Sequence, residues 1–181
     1  MDIVAERPVV GERAAFHAEF TALFNADFPR IFRYLDRLSG EPDLAADLAQ
    51  DAFVRLYRRG VLPDQPQAWL ISVAMNLFRN VKTSRSRRRE LLTPARGEES
   101  LSDPPPSPAE AEESAEIRRR VRAALDQLPE RERHLLLLRA EGYSYRDLAG
   151  ALGLNEASVG VMLARAKTAF RATYGDDPDE R

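Results

Sequence analysis

Residues 144–159 read SYRDLAGALGLNEASV, and this stretch decides the fold of the second half of the chain. Ser144 and Asp147 have the spacing of a capping box, which predicts the start of a helix. Gly153 stands in a tight turn, and Asn155 is a favourable N-cap for the helix that follows. The spacing predicts a helix-turn-helix that leaves one face of its last helix free for a major groove, with a plain helical hairpin as the alternative. Its shared core would consist of Leu148, Leu152, Leu154, Val159 and Leu163.

Two helices are predicted ahead of this motif, in residues 115–142. Pro129 suits the start of the second of them, and Gly142 marks its end. With the helix-turn-helix they predict a C-terminal lobe over residues 115–175, followed by a tail at residues 176–181. The first helix would present an apolar stripe to the core, made of Ile117, Val121, Ala124, Leu125 and Leu128.

Apolar periodicity predicts three more helices in an N-terminal lobe, residues 19–92, which follows an extension of residues 1–18. They run from about Phe16 to Leu38, from Pro42 to Arg59, and from about Gln67 to Arg89. The second helix carries a buried stripe of Leu44, Leu48, Ala52 and Leu56, with its polar residues facing outward. The buried face of the third consists of Leu70, Val73, Ala74, Leu77 and Val81, and its end is a cationic arm.

An acidic, proline-rich stretch separates the two lobes. Residues 97–116 contain seven acidic residues, no basic residue and four prolines. Proline removes backbone donors, and a segment this poor in large apolar residues cannot offset the entropy of ordering. We therefore predict a flexible linker over residues 93–114. Since no run of residues alternates with the period of a strand, the predicted fold class is all-α, with two small helical domains joined by this linker.

Composition excludes several classes of function. The 181 residues include no cysteine and two histidines, which excludes disulfides and cysteine nucleophiles and leaves no motif for a catalytic or metal site. The net charge of −2 argues against an autonomous, non-specific DNA binder, although residues 82–89 (KTSRSRRR) hold five cations. With no signal-peptide pattern and no apolar run of about 18 residues, we expect a cytoplasmic protein without a membrane span.

Three segments together resemble bacterial RNA polymerase sigma factors of the ECF (extracytoplasmic function) class. They are DLAQDAFVRLYRR (residues 47–59), AWLISVAMNLFRN (residues 68–80) with the basic run after it, and the stretch from 124 to 159. The resemblance covers roughly residues 19–174 and includes the order, spacing and linker. It implies a sigma factor that binds core RNA polymerase and directs promoter recognition and melting, with lobes similar to sigma domains 2 and 4.

The resemblance also implies partners and a docking surface. The partners would be core RNA polymerase, through the clamp helices of its largest subunit and its flap, and promoter DNA; an anti-sigma factor stays open as a further partner. The contacts with the clamp helices would be made by Asp47, Gln50 and Asp51, with Arg55 nearby.

The DNA-binding residues that the resemblance implies fall into two groups. The residues that would contact the −10 region of the promoter are Trp69, Asn76, Arg79, Asn80, Lys82, Arg85, Arg87, Arg88 and Arg89. Among them, Trp69 would be mainly structural. The −35 region would meet Tyr145, Asn155, Glu156, Ser158, Gly160, Val161, Arg165 and Lys167.

Two segments depart from the family pattern. The loop GVLPDQPQA (residues 60–68) is short and contains proline where family members present a base-capturing loop. At the positions where relatives carry a basic or hydroxyl-rich stretch, this chain has Gly160, Val161 and Met162. Because direct readout of bases depends on Arg, Lys, Asn or Gln, we expect the C-terminal lobe to anchor on phosphates and to read little −35 sequence.

Two other functions would each explain a part of the chain. A helix-turn-helix regulator that acts without polymerase would explain the C-terminal lobe but not the DLAQDAF helix and its basic neighbour. An enzyme could use Asp43, Asp47 and Asp51 as metal ligands, but no general base accompanies them. We therefore expect no catalytic residue, no metal and no cofactor.

Overall fold

The computed structural model describes residues 10–91 and 108–175. These ranges contain helices and no strand, so the prediction of an all-α fold is confirmed. The tail, residues 93–107 of the predicted linker and residues 1–9 of the predicted extension lie outside the described residues. The seven helices of the described ranges are α1 (Val10–Ser39), α2 (Pro42–Arg59), α3 (Pro66–Leu91), α4 (Pro108–Asp126), α5 (Glu130–Ala140), α6 (Tyr145–Leu152) and α7 (Glu156–Gly175).

Helices α1, α2 and α3 form the N-terminal lobe around one apolar core. Ile31, Tyr34 and Leu35 of α1 are completely buried. The predicted stripes of α2 and α3 both face this core, because apolar residues three and four positions apart share one side of a helix. Leu48, Ala52, Leu56, Leu70, Ala74 and Leu77 are buried, while Leu44, Val73 and Val81 are partly buried.

Helix α4 differs from its prediction at both its start and its stripe. It begins at Pro108, inside the range assigned to the linker. The first residue of a helix has no intrahelical partner for its N–H, so proline is tolerated there. Ile117 was expected in the core but is 47% exposed. Helix α4 contacts α7, where Arg120 lies over the ring of Tyr174.

The helix-turn-helix is confirmed in its local geometry. Ser144 and Asp147 form the capping box, with the Asp147 N–H donating to the Ser144 hydroxyl. Gly153 ends α6 at φ 63°, a left-handed conformation that glycine adopts without strain. Asn155 caps α7, because its side-chain oxygen accepts from the Ala157 N–H at 3.0 Å. Leu148, Val159 and Leu163 are buried between the two helices, and Leu152 and Leu154 pack against them.

The two lobes pack against each other along two seams that no sequence pattern predicts. In the α1–α5 seam, Arg30, Arg33, Tyr34 and Arg37 meet His134 and Glu141 of the C-terminal lobe. In the α3–α6 seam, the Ser72 hydroxyl donates to the Ala151 carbonyl at 3.2 Å. These seams fix which face of α3 the C-terminal lobe covers.

Replacing Phe53 by alanine should lower the free energy of unfolding by about 3–5 kcal/mol, as is typical for a buried aromatic ring. Phe53 is 2% exposed, and its ring contacts those of Phe20, Phe24 and Phe28. Urea denaturation followed by circular dichroism measures the change. Val61→Ala is the control, because Val61 is 55% exposed and should shift stability by less than about 0.5 kcal/mol. A destabilisation by Phe53→Ala no larger than the control's would contradict this account of the core.

Candidate functional site

The outer face of α2 carries the polar residues predicted for docking. Asp47, Gln50, Asp51 and Arg55 are all exposed, on the side opposite the buried stripe. Spacings of three and four residues bring Asp47, Gln50 and Asp51 together on one side of the helix. The structure therefore provides an accessible, mainly acidic surface at the predicted place.

An apolar groove that the sequence pattern did not predict lies beside this acidic face. Its volume is about 420 Å³, and Val54 and Tyr57 of α2 are 36% and 49% exposed along it. Gln50 belongs to both surfaces, which makes them continuous. The spacing of four between the phenylalanines of α1 was the available signal, but core packing explains it equally well. The full lining is Phe20, Phe24, Phe28, Ala46, Gln50, Phe53, Val54, Tyr57 and Arg58.

The basic arm at the end of α3 contains exposed cations, one of which forms an ion pair. Lys82, Arg87 and Arg88 are exposed. Arg85 donates to both carboxylate oxygens of Glu41, at 2.5 and 2.9 Å, and this hydrogen bonding lowers the pKa of the Glu41 carboxyl. The arm is thus tied to the α1–α2 turn at Arg85. The side chain of Arg89 lies outside the described residues.

The other predicted −10 residues sit in different surroundings. Trp69 is half-buried against the core, in agreement with a structural role. Asn76 and Arg79 line a cavity of about 510 Å³ whose opposite wall includes residues of the C-terminal lobe. Arg79 donates to the Asn76 side-chain oxygen at 3.3 Å and lies 3.5 Å from the Glu130 carboxylate. Asn80 is exposed. Asn76 and Arg79 are exposed as well, although Arg79 faces Glu130 of the C-terminal lobe.

The start of the recognition helix α7 lies beside Tyr145 of α6. A Cβ atom at Gly160 would lie 3.5 Å from the Tyr145 ring, which is an ordinary contact distance, so the ring does not require a glycine there. The guanidinium of Arg139 lies 5.5 Å from the centre of the same ring. The Asn155 side-chain oxygen is engaged as a cap, and the residue is exposed. Glu156, Ser158, Val161, Arg165 and Lys167 are exposed.

The described parts of the chain contain no arrangement for a metal. No group of three or more His, Cys, Asp or Glu side chains in residues 10–91 and 108–175 could hold a metal ion. Across those same ranges, no helix is long and apolar enough to cross a membrane.

Comparison with known proteins shows the family of the chain. The model for Sigma-70 region 2 matches residues 23–88, and that for Sigma-70, region 4 matches residues 118–170. The ECF RNA polymerase sigma factor EcfG of Rhodopseudomonas palustris is 33% identical over 154 residues, which are 81% of this chain and 80% of EcfG. The ECF RNA polymerase sigma factor SigE of Mycolicibacterium smegmatis is 28% identical over 164 residues, 89% of this chain; the match spans only 63% of SigE.

A solved structure supports the fold. The sigma factor RpoE from Bartonella quintana, in its co-crystal structure with the anti-sigma factor NepR, matches with a TM-score of 0.64 at 21% identity, over 88% of this chain and 98% of that one. The matched regions follow one another in the same order as the two lobes, and the acidic α2 face and the helix-turn-helix each fall within one of them. The chain therefore belongs to the ECF class of RNA polymerase sigma factors.

Proposed function

We propose that the protein binds core RNA polymerase and directs it to promoters, without catalytic chemistry of its own. The observation that carries this proposal is the exposed acidic face of α2, continuous with an apolar groove, on the same lobe as a cationic helix end. Family membership supports the same assignment. Both proposed partners, the polymerase and the promoter, place its action in the bacterial cytoplasm.

The α2 surface would dock on the clamp helices of the largest polymerase subunit. Carboxylates at Asp47 and Asp51 offer electrostatic complementarity to a basic helical partner, and the groove beside them can receive its apolar side chains. The C-terminal lobe would approach the polymerase flap. A helix-turn-helix regulator acting without polymerase would need neither the acidic face nor the groove.

Promoter binding would divide between the two lobes. The exposed cations Lys82, Arg87 and Arg88 can follow phosphates, whereas Arg165 and Lys167 can anchor the recognition helix on the DNA backbone. Val161, which is 58% exposed, offers methyl groups but no hydrogen bonds to a base. The −10 element would therefore supply most of the sequence discrimination. By analogy with RpoE, which was solved with NepR, an anti-sigma factor is a further proposed partner.

Reversing Asp47 and Asp51 to lysine should abolish the binding of core polymerase, because like charges would face a basic partner. Pull-down with purified core enzyme measures the effect, and circular dichroism checks that helicity is retained. The control is Asp64→Lys, which makes half of that charge change at an exposed position in the loop before α3. Undiminished binding by the double variant would rule out this docking face.

Replacing Arg87 and Arg88 by alanine should weaken promoter engagement similarly on all sequences, because interactions with phosphates carry no base information. The slope of log K against log salt concentration should fall by about 0.7–0.9 for each phosphate that is no longer neutralised. Binding of the polymerase complex at several salt concentrations gives the slope, with Arg118→Ala, an exposed arginine on α4, as the control. A changed base preference at an unchanged slope would contradict the electrostatic role.

Scrambling the −35 element of a cognate promoter should cost less transcription than scrambling its −10 element. Bidentate hydrogen bonds, worth about 1–3 kcal/mol per discriminated base, cannot be made by the side chains at Gly160, Val161 and Met162. In vitro transcription with core polymerase compares the two promoters, and an unaltered promoter is the reference. Equal reductions would mean that α7 reads bases despite its composition.

A further inference from the structure

Val161 is the most exposed of the large apolar side chains in the helix-turn-helix. It is 58% exposed, although valine is a weak helix former and an exposed side chain contributes little packing. Its place follows from the rotation of α7. Val159 and Leu163 are buried in the core of the lobe, and Val161, two residues after Val159, is rotated from it by about 200°. Val161 therefore lies in the middle of the face that α7 turns away from its own core.

The neighbours of Val161 on this face offer methyl groups and no free hydrogen-bonding group. Ala157, Ala164 and Thr168 lie at spacings of three and four residues along the same side of α7, and all three are exposed. The Thr168 hydroxyl donates to the Ala164 carbonyl of the same helix at 3.1 Å, so its methyl is the group left to offer. None of these four side chains can make the paired hydrogen bonds by which Arg, Asn or Gln identifies a base.

Exposed cations border this face on both sides. The helical rotation places Arg165 at one edge and Lys167 and Arg171 at the other, and all three are exposed. Glu156, the one carboxylate among the α7 side chains, lies in the first turn, where it suits the helix dipole. A surface that is apolar along its middle and positive along both edges matches the major groove, because the base edges lie there between two phosphate backbones.

Thymine is the base that such a face can distinguish. In the major groove it presents a 5-methyl group beside its O4 acceptor, whereas cytosine presents an amino group and no methyl. Contact with the methyl groups of Val161 removes the thymine methyl from water. Full burial of one such group favours binding about fourfold.

We propose that Val161 is the specificity-determining residue of α7 and reads the −35 element through the 5-methyl groups of thymine, while Arg165, Lys167 and Arg171 hold the helix on the flanking phosphates. This inference rests on the proposed function and names the base and the chemical group that α7 recognises. Because one methyl contact discriminates less than a bidentate hydrogen bond, the −10 element still supplies most of the sequence discrimination.

Replacing thymine by uracil tests the proposal, because these two bases differ only in the 5-methyl group. A cognate promoter, selected by transcription from a random library, is prepared with deoxyuridine at every thymine of its −35 element on both strands. Binding by the full chain assembled with core polymerase should weaken about two- to fourfold for each methyl contacted. The same replacement in the spacer between the two elements is the control and should change nothing. Equal binding of the thymine and uracil promoters, or a selected −35 element without thymine on either strand, would overturn the proposal.

Val161→Ala should lower the ratio of thymine to uracil affinity at least about twofold, because it deletes two methyl groups. Folding is not at risk, since the position is exposed and alanine is the better helix former. The matched control is Ile117→Ala, which shortens an exposed apolar side chain on α4 of the same lobe and should keep the ratio. Arg165→Ala should weaken binding to both promoters equally, since phosphate contacts carry no base information. An unchanged ratio in Val161→Ala would overturn the assignment to this residue.

Cytosine and 5-methylcytosine give a second comparison of the same methyl group on a different hydrogen-bonding edge. At the thymine position most sensitive to uracil, cytosine should weaken binding, and 5-methylcytosine should recover about two- to fourfold relative to cytosine. The recovery should be smaller with Val161→Ala. No recovery with the unaltered protein would overturn the methyl contact.

The proposed function and this inference fail in different ways. If the unaltered protein initiates on no promoter of the library, the proposed function is wrong. If it initiates but binds the thymine and uracil promoters equally, only the reading of thymine by Val161 is overturned.

Discussion

A buried carboxylate that must be neutralised organises the relation between the two lobes. Glu141 is withdrawn from water, and its charge is compensated by Arg33 and Arg37 across the lobe interface. Isolated charges are costly in a protein interior, so this pairing permits few alternative arrangements. Helix α1 can supply it because its arginines occupy one face while Ile31 and Leu35 occupy the core of its own lobe. One helix therefore builds the N-terminal lobe and positions the C-terminal lobe.

The candidate functional surfaces lie at different places relative to the contact between the lobes. The acidic face of α2 and its groove lie away from the interface, and the exposed residues of α7 are also accessible. Asn76 and Arg79 line the cavity between the lobes, but both are exposed. The Arg79 guanidinium lies 3.5 Å from the Glu130 carboxylate of the C-terminal lobe, so within the proposed function a phosphate would compete with that carboxylate for it.

Several residues that resemblance assigns to DNA have structural roles in the folded chain. Asn155 caps α7, and Arg85 is paired with Glu41. A motif match carries over a residue type and a position, but it cannot show which partners a side chain finds in this particular chain. The exposed Arg165 and Lys167 keep their predicted role as a proposal.

The sequence by itself determined the helices, the helix-turn-helix and the outward face of α2, because periodicity, caps and turn glycines act over a few residues. The same local rules failed at Ile117, which lies on the predicted apolar stripe but is exposed. Only the tertiary structure decided the pairing of Arg33 with Glu141, 108 residues apart, and that of Arg85 with Glu41, 44 residues apart. The contact of Arg79 with Glu130 and the aromatic groove belong with them. A charge or a ring finds such partners through packing between helices, and no local pattern encodes which surfaces will meet.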